Sequence, residues 1–592
     1  MDVGPRQATI ETDVPAITSK GQVLEAIREH FRMSLRHWVK FSHRPARFFN
    51  FGQAIVILVT PSFAKWLEDD VLFIPRILQL ITHPWKDPWA LHVGKKSRGA
   101  KPVQGPTGPP FEIDVVCACV DGLAPNPSGI RLGQGRYSRE GISLLHGRTG
   151  QIISGVWEDE PTTTEDSPSM QSSLTFSKSP IPDLREAKET RQTPSNVTLP
   201  LANTLFTNGR HSTLLVSRWQ AMPDGQFKKI RSKEKRNQVI NVFHSHLEGV
   251  PSTYVPAVPL TPIRRIVSGL GNIIRQLHFA DDGPGPASRE LEPTLDEYMK
   301  AMKLPISNIG VWALIIPLEA LPDSPPKPPF DILTNKEDVQ RFWQERIVNP
   351  RFIGYWLDKG ATFCRVVSGG GGWGAKQGLL SLDPQTTYRT ISEARFDYTG
   401  GSIEEHQASA LGDIAKPNSF IQFFAMEGKN ASPVRLTDPQ PRRSPMDDRY
   451  RLHTVLGTVP STVDQTPQRP RKRPKSPKYE TFRARWWRRR RLGLKTGSPN
   501  WKDNVIFRSG HFGAVSESGL YLDFAKKYSK KDATVSEQDI VETKIDFPYS
   551  YVCRDHRLGE GDKLREKFVP LGASMKQIGR RLERSKRRGF KS

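Results

Sequence analysis

Apolar and polar positions along this chain change in short blocks, with no single sustained period. FEIDVVCACV (111–120) is a valine-rich apolar run bounded by turn-forming residues, the pattern of a buried strand, and GISLLHG (141–147) reads the same way. In LFTNGRHSTLLVSRW (205–219), Asn208 and Gly209 stand between apolar stretches. Both tolerate positive φ, so the pair predicts a tight β-hairpin. In LTPIRRIVSGLGNIIRQL (260–277), Ile263, Ile266, Val267, Leu270, Ile273, Ile274 and Leu277 return at three- and four-residue steps behind Thr261 and Pro262, which predicts a capped amphipathic helix. A second helix, ASRELEPTLDEYMKAMKL, leads into a strand, VWALIIPL. Beyond a proline linker come a helix around NKEDVQRFWQERI, a strand ATFCRVV, a glycine run and a strand SFIQFFAM. VIFRSGHFGAVSESGLYLDF and IDFPYSYVC then show strand-like alternation. This mixture predicts an α+β fold of several blocks and not a regular βαβ repeat.

The connections set the expected organisation. Residues 1–110 form a basic N-terminal region, and 111–320 a first α+β block interrupted by a polar Ser/Thr/Pro insertion at 157–200, expected to be disordered. Residues 331–431 form a second block carrying the glycine run. A Pro- and Arg-rich segment, 432–500, is expected to be extended or disordered, and 501–592 forms a small strand-containing block with a basic tail.

Charge changes the picture. The formal net charge is +25, and it is concentrated. Between Arg469 and Lys502 there are fourteen Lys or Arg against Glu480 alone, and between Met575 and Ser592 eight against Glu583. Fields of this density point to a polyanion: RNA, a ribonucleoprotein, or the surface of an anionic membrane. Within the first cluster, RARWWRRRR interleaves Arg483, Arg485, Arg488, Arg489, Arg490 and Arg491 with Trp486 and Trp487. Guanidinium groups make bidentate phosphate contacts and indoles offer flat faces to unstacked bases, a pairing suited to single-stranded or irregular RNA. Arg580, Arg581, Lys586, Arg587 and Arg588 extend the candidate surface into the tail. RPRKRPK (469–475) also reads as a nuclear import signal, which leaves a nuclear nucleic-acid-associated role open.

Other addresses compete. From Met33 to Trp66 no acid occurs while arginines and lysines recur, the composition of a mitochondrial transit peptide displaced inward (33–66). An ordinary basic amphipathic segment has the same composition. The longest uninterrupted apolar core in this region, Ala54 to Val59, is too short to span a bilayer, so no transmembrane helix is expected. Four scattered cysteines without a CxxC pair suit a reducing compartment.

No catalytic signature emerges. SGGGGWGAKQG, with Gly369, Gly370, Gly371, Gly372, Gly374 and Lys376, is a candidate ligand loop for a phosphate-bearing molecule. Measured against a Walker loop, however, Ala375 displaces the lysine by one position and Gln377 replaces the hydroxyl. His244 and His246 would share one face of a strand, yet no thiol or carboxylate stands at a metal-ligand spacing nearby. GAVSESG (513–519) is one residue too long for a nucleophile elbow. IVSGLGNIIRQL can be set beside the KH signature, with Gly271 as the second glycine and Ser268 in place of the first. No cofactor and no metal are implied.

VDGLAP, EGISLLHG, PLTPIRRIVSGLGNIIRQL and GGGGWGAKQGLLSLDP, spread over about residues 111–390, together resemble the mitochondrial inner-membrane-bound regulators of organellar gene expression of filamentous fungi, which contain degenerate KH units. The resemblance implies a non-enzymatic factor acting on transcripts or ribosomes in the matrix or on the matrix side of the inner membrane. The expectation from the sequence is therefore a non-catalytic mitochondrial factor that binds RNA or a ribonucleoprotein.

Overall fold

The computed structural model describes residues 6–12, 14–28, 52–82, 112–124, 139–158, 171–178, 194–222, 225–243, 252–279, 282–303, 309–320, 339–340, 343–344, 347–348, 351–369, 378–388, 414–426, 435–436, 451–460, 505–525 and 540–557. The fold is α+β and dominated by strands. Its centre is a seven-stranded sheet in which the strand Gln53–Val59 lies between Glu112–Cys119, parallel to it, and Glu140–Arg148, antiparallel. Arg6–Thr12 pairs with the far side of Glu140–Arg148, and Val505–Ser509 closes that edge. Leu214–Ala221 and then Phe227–Glu234 form the opposite edge.

The central strand explains its own composition. Successive side chains point to opposite faces. Ile55, Ile57 and Val59 enter a core with the helix Phe73–Thr82, while Ala54, Val56 and Leu58 enter a larger core on the other face. A strand buried on both faces favours a continuous apolar run, and an acid is accommodated there only with a partner. The acid-free stretch read as a displaced leader is thus, from residue 52 to Trp66, structural: the central strand, then the start of the 3-10 helix Pro61–Glu68. Residues 33–51 lie outside the described residues. A leader cleaved after residue 66 would remove the middle of the sheet.

The insertion at 157–200 needs a similar correction. Ser173–Lys178 and Pro194–Pro200 pair within a six-stranded sheet, burying Leu174, Phe176, Val197 and Leu199. Their period-two alternation is carried by only two apolar residues each, among Ser and Thr. The segment 432–500 likewise contains a strand, Arg451–Thr458, which pairs in parallel with His511–Ser516 and antiparallel with Tyr551–Arg557. Strands after residue 505 are distributed among three sheets, and the largest core combines side chains from Ala54 to Val552. The expected block boundaries therefore cut through shared cores.

The chief correction concerns residues 260–277. They form no helix but a β-hairpin, Arg264–Leu270 and Ile273–Phe279, turning at Gly271 (φ 60°) and Asn272, whose side-chain amide donates to the Leu382 carbonyl at 2.6 Å. Ile and Val are stiff at χ1 and favour strands, and Gly269 and Gly271 disfavour a helix interior, so local propensity outweighs the helical spacing. The two helices that a KH clamp requires are consequently missing from this segment. The hairpin belongs to a closed six-stranded antiparallel barrel with Leu380–Leu382, Thr362–Gly369, Val311–Ile316 and Phe420–Ala425, the last pairing back to Arg264–Leu270. Val311, Ala313 and Ile315 help fill its interior, while Trp312, Leu314 and Ile316 join the large core outside. The expected helix near 287–304 is present as Leu291–Met302. At Asn208–Gly209 the short strands Asn203–Thr204 and Arg210–Ser212 do pair. Instead of a two-residue turn, a helical turn, Leu205–Asn208, joins them, capped by Gly209 at φ 79°.

Candidate nucleic-acid interface

The strand Phe227–Glu234 (FKKIRSKE) forms one edge of the central sheet and is largely solvent-exposed after Phe227. Its pairing shifts register at Ile230: Trp219 stands opposite Lys229 and Arg218 opposite Arg231. This bulge has a chemical consequence. Without it, Lys228 and Arg231, three residues apart, would point to opposite faces. With it, Lys228, Arg231 and Lys233 stand opposite Gln220, Arg218 and Val216, and so share one face of the sheet.

That face is organised around Trp157 and Asp114. Asp114 is buried on the neighbouring strand and accepts two hydrogen bonds from Arg218, Nε to Oδ1 at 2.7 Å and Nη2 to Oδ2 at 2.9 Å. The Trp157 indole donates to the same Oδ1 at 2.9 Å. The hydrogen bond to Asp114 and the adjoining charges of Asp114 and Glu112 raise the pKa of Arg218, against the opposing effect of burial. With Trp157 fixed, the Arg231 guanidinium lies over its ring, 3.7 Å from the centroid. Lys233 donates to the Glu158 carbonyl at 2.9 Å and Lys235 to that of Gly155 at 3.1 Å, which pins the turn bearing Trp157 to the strand. The result is a basic row with a stacked arginine at its centre. On such a surface Lys228 and Arg231 can donate hydrogen bonds to phosphate oxygens, and a base can stack on a guanidinium plane.

The residues first expected to bind nucleic acid, Arg483, Arg485, Trp486, Trp487, Arg488 to Arg491, Arg580, Arg581, Lys586, Arg587 and Arg588, lie outside the described residues, as do His244 and His246. Of the glycine run, Gly369 ends a barrel strand, packed so that a Cβ there would meet Leu380 at 2.3 Å, while Gly370, Gly371, Gly372, Gly374 and Lys376 lie outside the described residues. The loop therefore joins two adjacent barrel strands, Thr362–Gly369 and Leu380–Leu382. The row at 228–235 was missed by sequence reasoning, although KKIRSKEKR carries six Lys or Arg against Glu234. Its signal was available as a basic run with a β-branched centre. What could not be read was the bulge that puts the charges on one face.

Comparison with protein-family models, curated proteins and solved structures returns no match. Among the described residues no cluster of three or more His, Cys, Asp or Glu is placed to hold a metal ion, and no helix is long and apolar enough to cross a membrane. All four cysteines are free and buried, and burial pushes the Cys117 thiol up to about 12.

One half-buried carboxylate offers a pH readout. Asp121 follows the strand Glu112–Cys119 and accepts the Glu517 amide at 2.8 Å. Burial, reinforced by the neighbouring Glu517 charge, pushes its pKa up to about 6, despite the opposing hydrogen bonds. Since the folded pKa exceeds the unfolded one near 3.9, folded Asp121 retains its proton longer, and stability declines as pH rises between about 4 and 6. Asp121→Asn should therefore stabilise the protein by roughly 1–2 kcal/mol at pH 7, with the gain vanishing near pH 4. Denaturant titrations of both proteins at the two pH values check this; a gain equal at both would remove the titration from the explanation.

Proposed function

We propose that the protein is a non-catalytic RNA- or ribonucleoprotein-binding factor serving organellar gene expression in mitochondria. The observation that carries the binding assignment is the alignment of Lys228, Arg231 and Lys233 on one exposed face beside Trp157. The concentrated charges at 469–502 and 575–592 support it as sequence-independent phosphate contacts. Binding to single strands should weaken with salt by about 0.7 log units per log unit of salt for each phosphate contact. Lys228→Glu with Arg231→Glu should weaken binding at least tenfold and lower that slope by roughly 1.4. A gel-shift salt titration on single-stranded RNA reads both quantities. An unchanged slope with wild-type affinity would place the interface elsewhere, and the first region to replace would then be Arg485 to Arg491.

The compartment has a second reading. Because residues 52–66 are structural, a mitochondrial address would have to be removed before residue 52 or retained, and RPRKRPK gains weight as a nuclear signal. Protease-protected fractionation of a C-terminally tagged chain, with sequencing of its mature N-terminus, separates the two. Protection in mitochondria with the strand at 53 intact supports the organellar role; nuclear accumulation replaces it with the nuclear one.

A further inference from the structure

The face that carries Lys228, Arg231 and Lys233 also holds an acid that phosphate binding does not explain. Glu112 opens the strand Glu112–Cys119 and stands opposite Gln220, which in turn stands opposite Lys228 on the edge strand. These three side chains form a row parallel to that of Asp114, Arg218 and Arg231, about 7 Å further along the strands. A carboxylate in this position repels a phosphate backbone. Arg218 does not require it either, since its Nε and Nη2 already bind both oxygens of the buried Asp114. The remaining nitrogen, Nη1, reaches Glu112 Oε2 at 3.2 Å and so fixes an acceptor whose side chain is 45% exposed.

Two neighbours complete the arrangement. Gln220 is half-buried, and its carboxamide has no partner among the described residues. Arg231 is exposed, and with one face of its guanidinium on Trp157 it can offer the other to a base. The row therefore presents, side by side, a carboxylate that accepts and an amide that donates, next to a stacking plane.

That set of groups is chemically selective. Guanine is the one standard base whose Watson–Crick edge places two donors, N1–H and N2–H, beside an acceptor, O6. A carboxylate can take both donors while a carboxamide N–H supplies the acceptor. Adenine and cytosine present one amino group beside an acceptor there, and uracil one N–H between two carbonyls. We propose that this row is a guanine-selective subsite, in which an unstacked guanine lies on the outer face of Arg231, donates N1–H and N2–H to Glu112 and accepts at O6 from Gln220. Resting on the RNA-binding role proposed above, this selectivity concerns a single nucleotide, with an adjoining phosphate on Lys228.

The test titrates the full chain, by fluorescence anisotropy, with labelled oligouridines that carry one central guanosine, inosine, adenosine or cytidine. Raised salt weakens the sequence-independent phosphate contacts elsewhere in the chain. The guanosine oligomer should bind about tenfold tighter than the adenosine, cytidine and all-uridine oligomers, with inosine, which lacks the 2-amino group, in between. Glu112→Gln should erase that preference, and so should Gln220→Glu, which sets a carboxylate against O6. Glu234→Gln, which alters an acid on the opposite face of the edge strand, should retain it. Thermal melts show that each variant is folded. Equal affinity for all the oligomers, or a guanine preference that survives in folded Glu112→Gln, would overturn the subsite and leave RNA binding standing. Failure of every oligomer to bind at any salt would overturn the RNA-binding role and the subsite with it.

Discussion

A chain that starts at Met33 should fail to fold cooperatively. It lacks the strand Arg6–Thr12, which is hydrogen-bonded on both sides, to Glu140–Arg148 and to Val505–Ser509. It also lacks the helix at residues 20–28, which contributes Val23 and Ile27 to the core. Ile10, Val23 and Ile27 are almost fully buried, and at about 1.5–3 kcal/mol for each such side chain their loss alone removes on the order of 5–9 kcal/mol. That is comparable to the whole stability of a typical domain, about 5–15 kcal/mol. The same truncation strips buried polar groups of their partners. Thr9 Oγ1 lies 2.9 Å from both Ser143 Oγ and His511 Nδ1, Gln7 donates to Thr454 at 3.2 Å, and Glu11 pairs with Arg508. Thermal melts and gel filtration of the two chains decide the matter. A sharp transition within a few degrees of the full chain would show that the N-terminal strand is dispensable.

The second large effect is expected at Arg218. Arg218→Ala should lower the unfolding free energy by about 3 kcal/mol, because it leaves the buried Asp114 carboxylate with the Trp157 indole as its remaining side-chain donor. Arg218→Lys should recover only part of this, since an ammonium cannot reproduce the two parallel bonds. Arg231→Ala provides the contrast. Its guanidinium is exposed and stacked, so its removal should cost under about 1 kcal/mol of stability while weakening RNA binding. Urea titration of all three, with RNA affinity measured on the same preparations, separates a residue that holds the surface together from one that uses it. An Arg218→Ala protein within about 0.5 kcal/mol of the parent would mean that Asp114 finds another donor or water.

What could be read in advance divides along physical lines. Runs buried on both faces, such as VVCAC and WALII, are unmistakable because no polar residue fits there. Strands buried on one face with small polar residues on the other are not, which is why Leu174 and Phe176 are hidden among serines and threonines. Residues 264–279 mislead because an apolar-rich stretch satisfies helical spacing by chance, and the Gly-Leu-Gly-Asn turn outweighs that spacing. The α+β class is unaffected, since exchanging one helix for a hairpin does not alter it. The basic row is the least legible feature. Its residues are plain in KKIRSKEKR, but their common face depends on a register shift set by Leu214–Ala221, a partner strand whose alignment no local pattern specifies.

The pairing of Ala8 with Ser509 has a consequence for how the molecule is made. Nearly the entire polypeptide separates two strands that must lie side by side, so the closing pairing has very high contact order and carries the entropy of an enormous loop. During synthesis the first strands emerge early and wait with one edge unpaired, a state prone to wrong partners. The sheet becomes complete only when residues 505–509 have left the ribosome, which makes the native state a late product of translation and places its greatest need for chaperones before the last strands arrive.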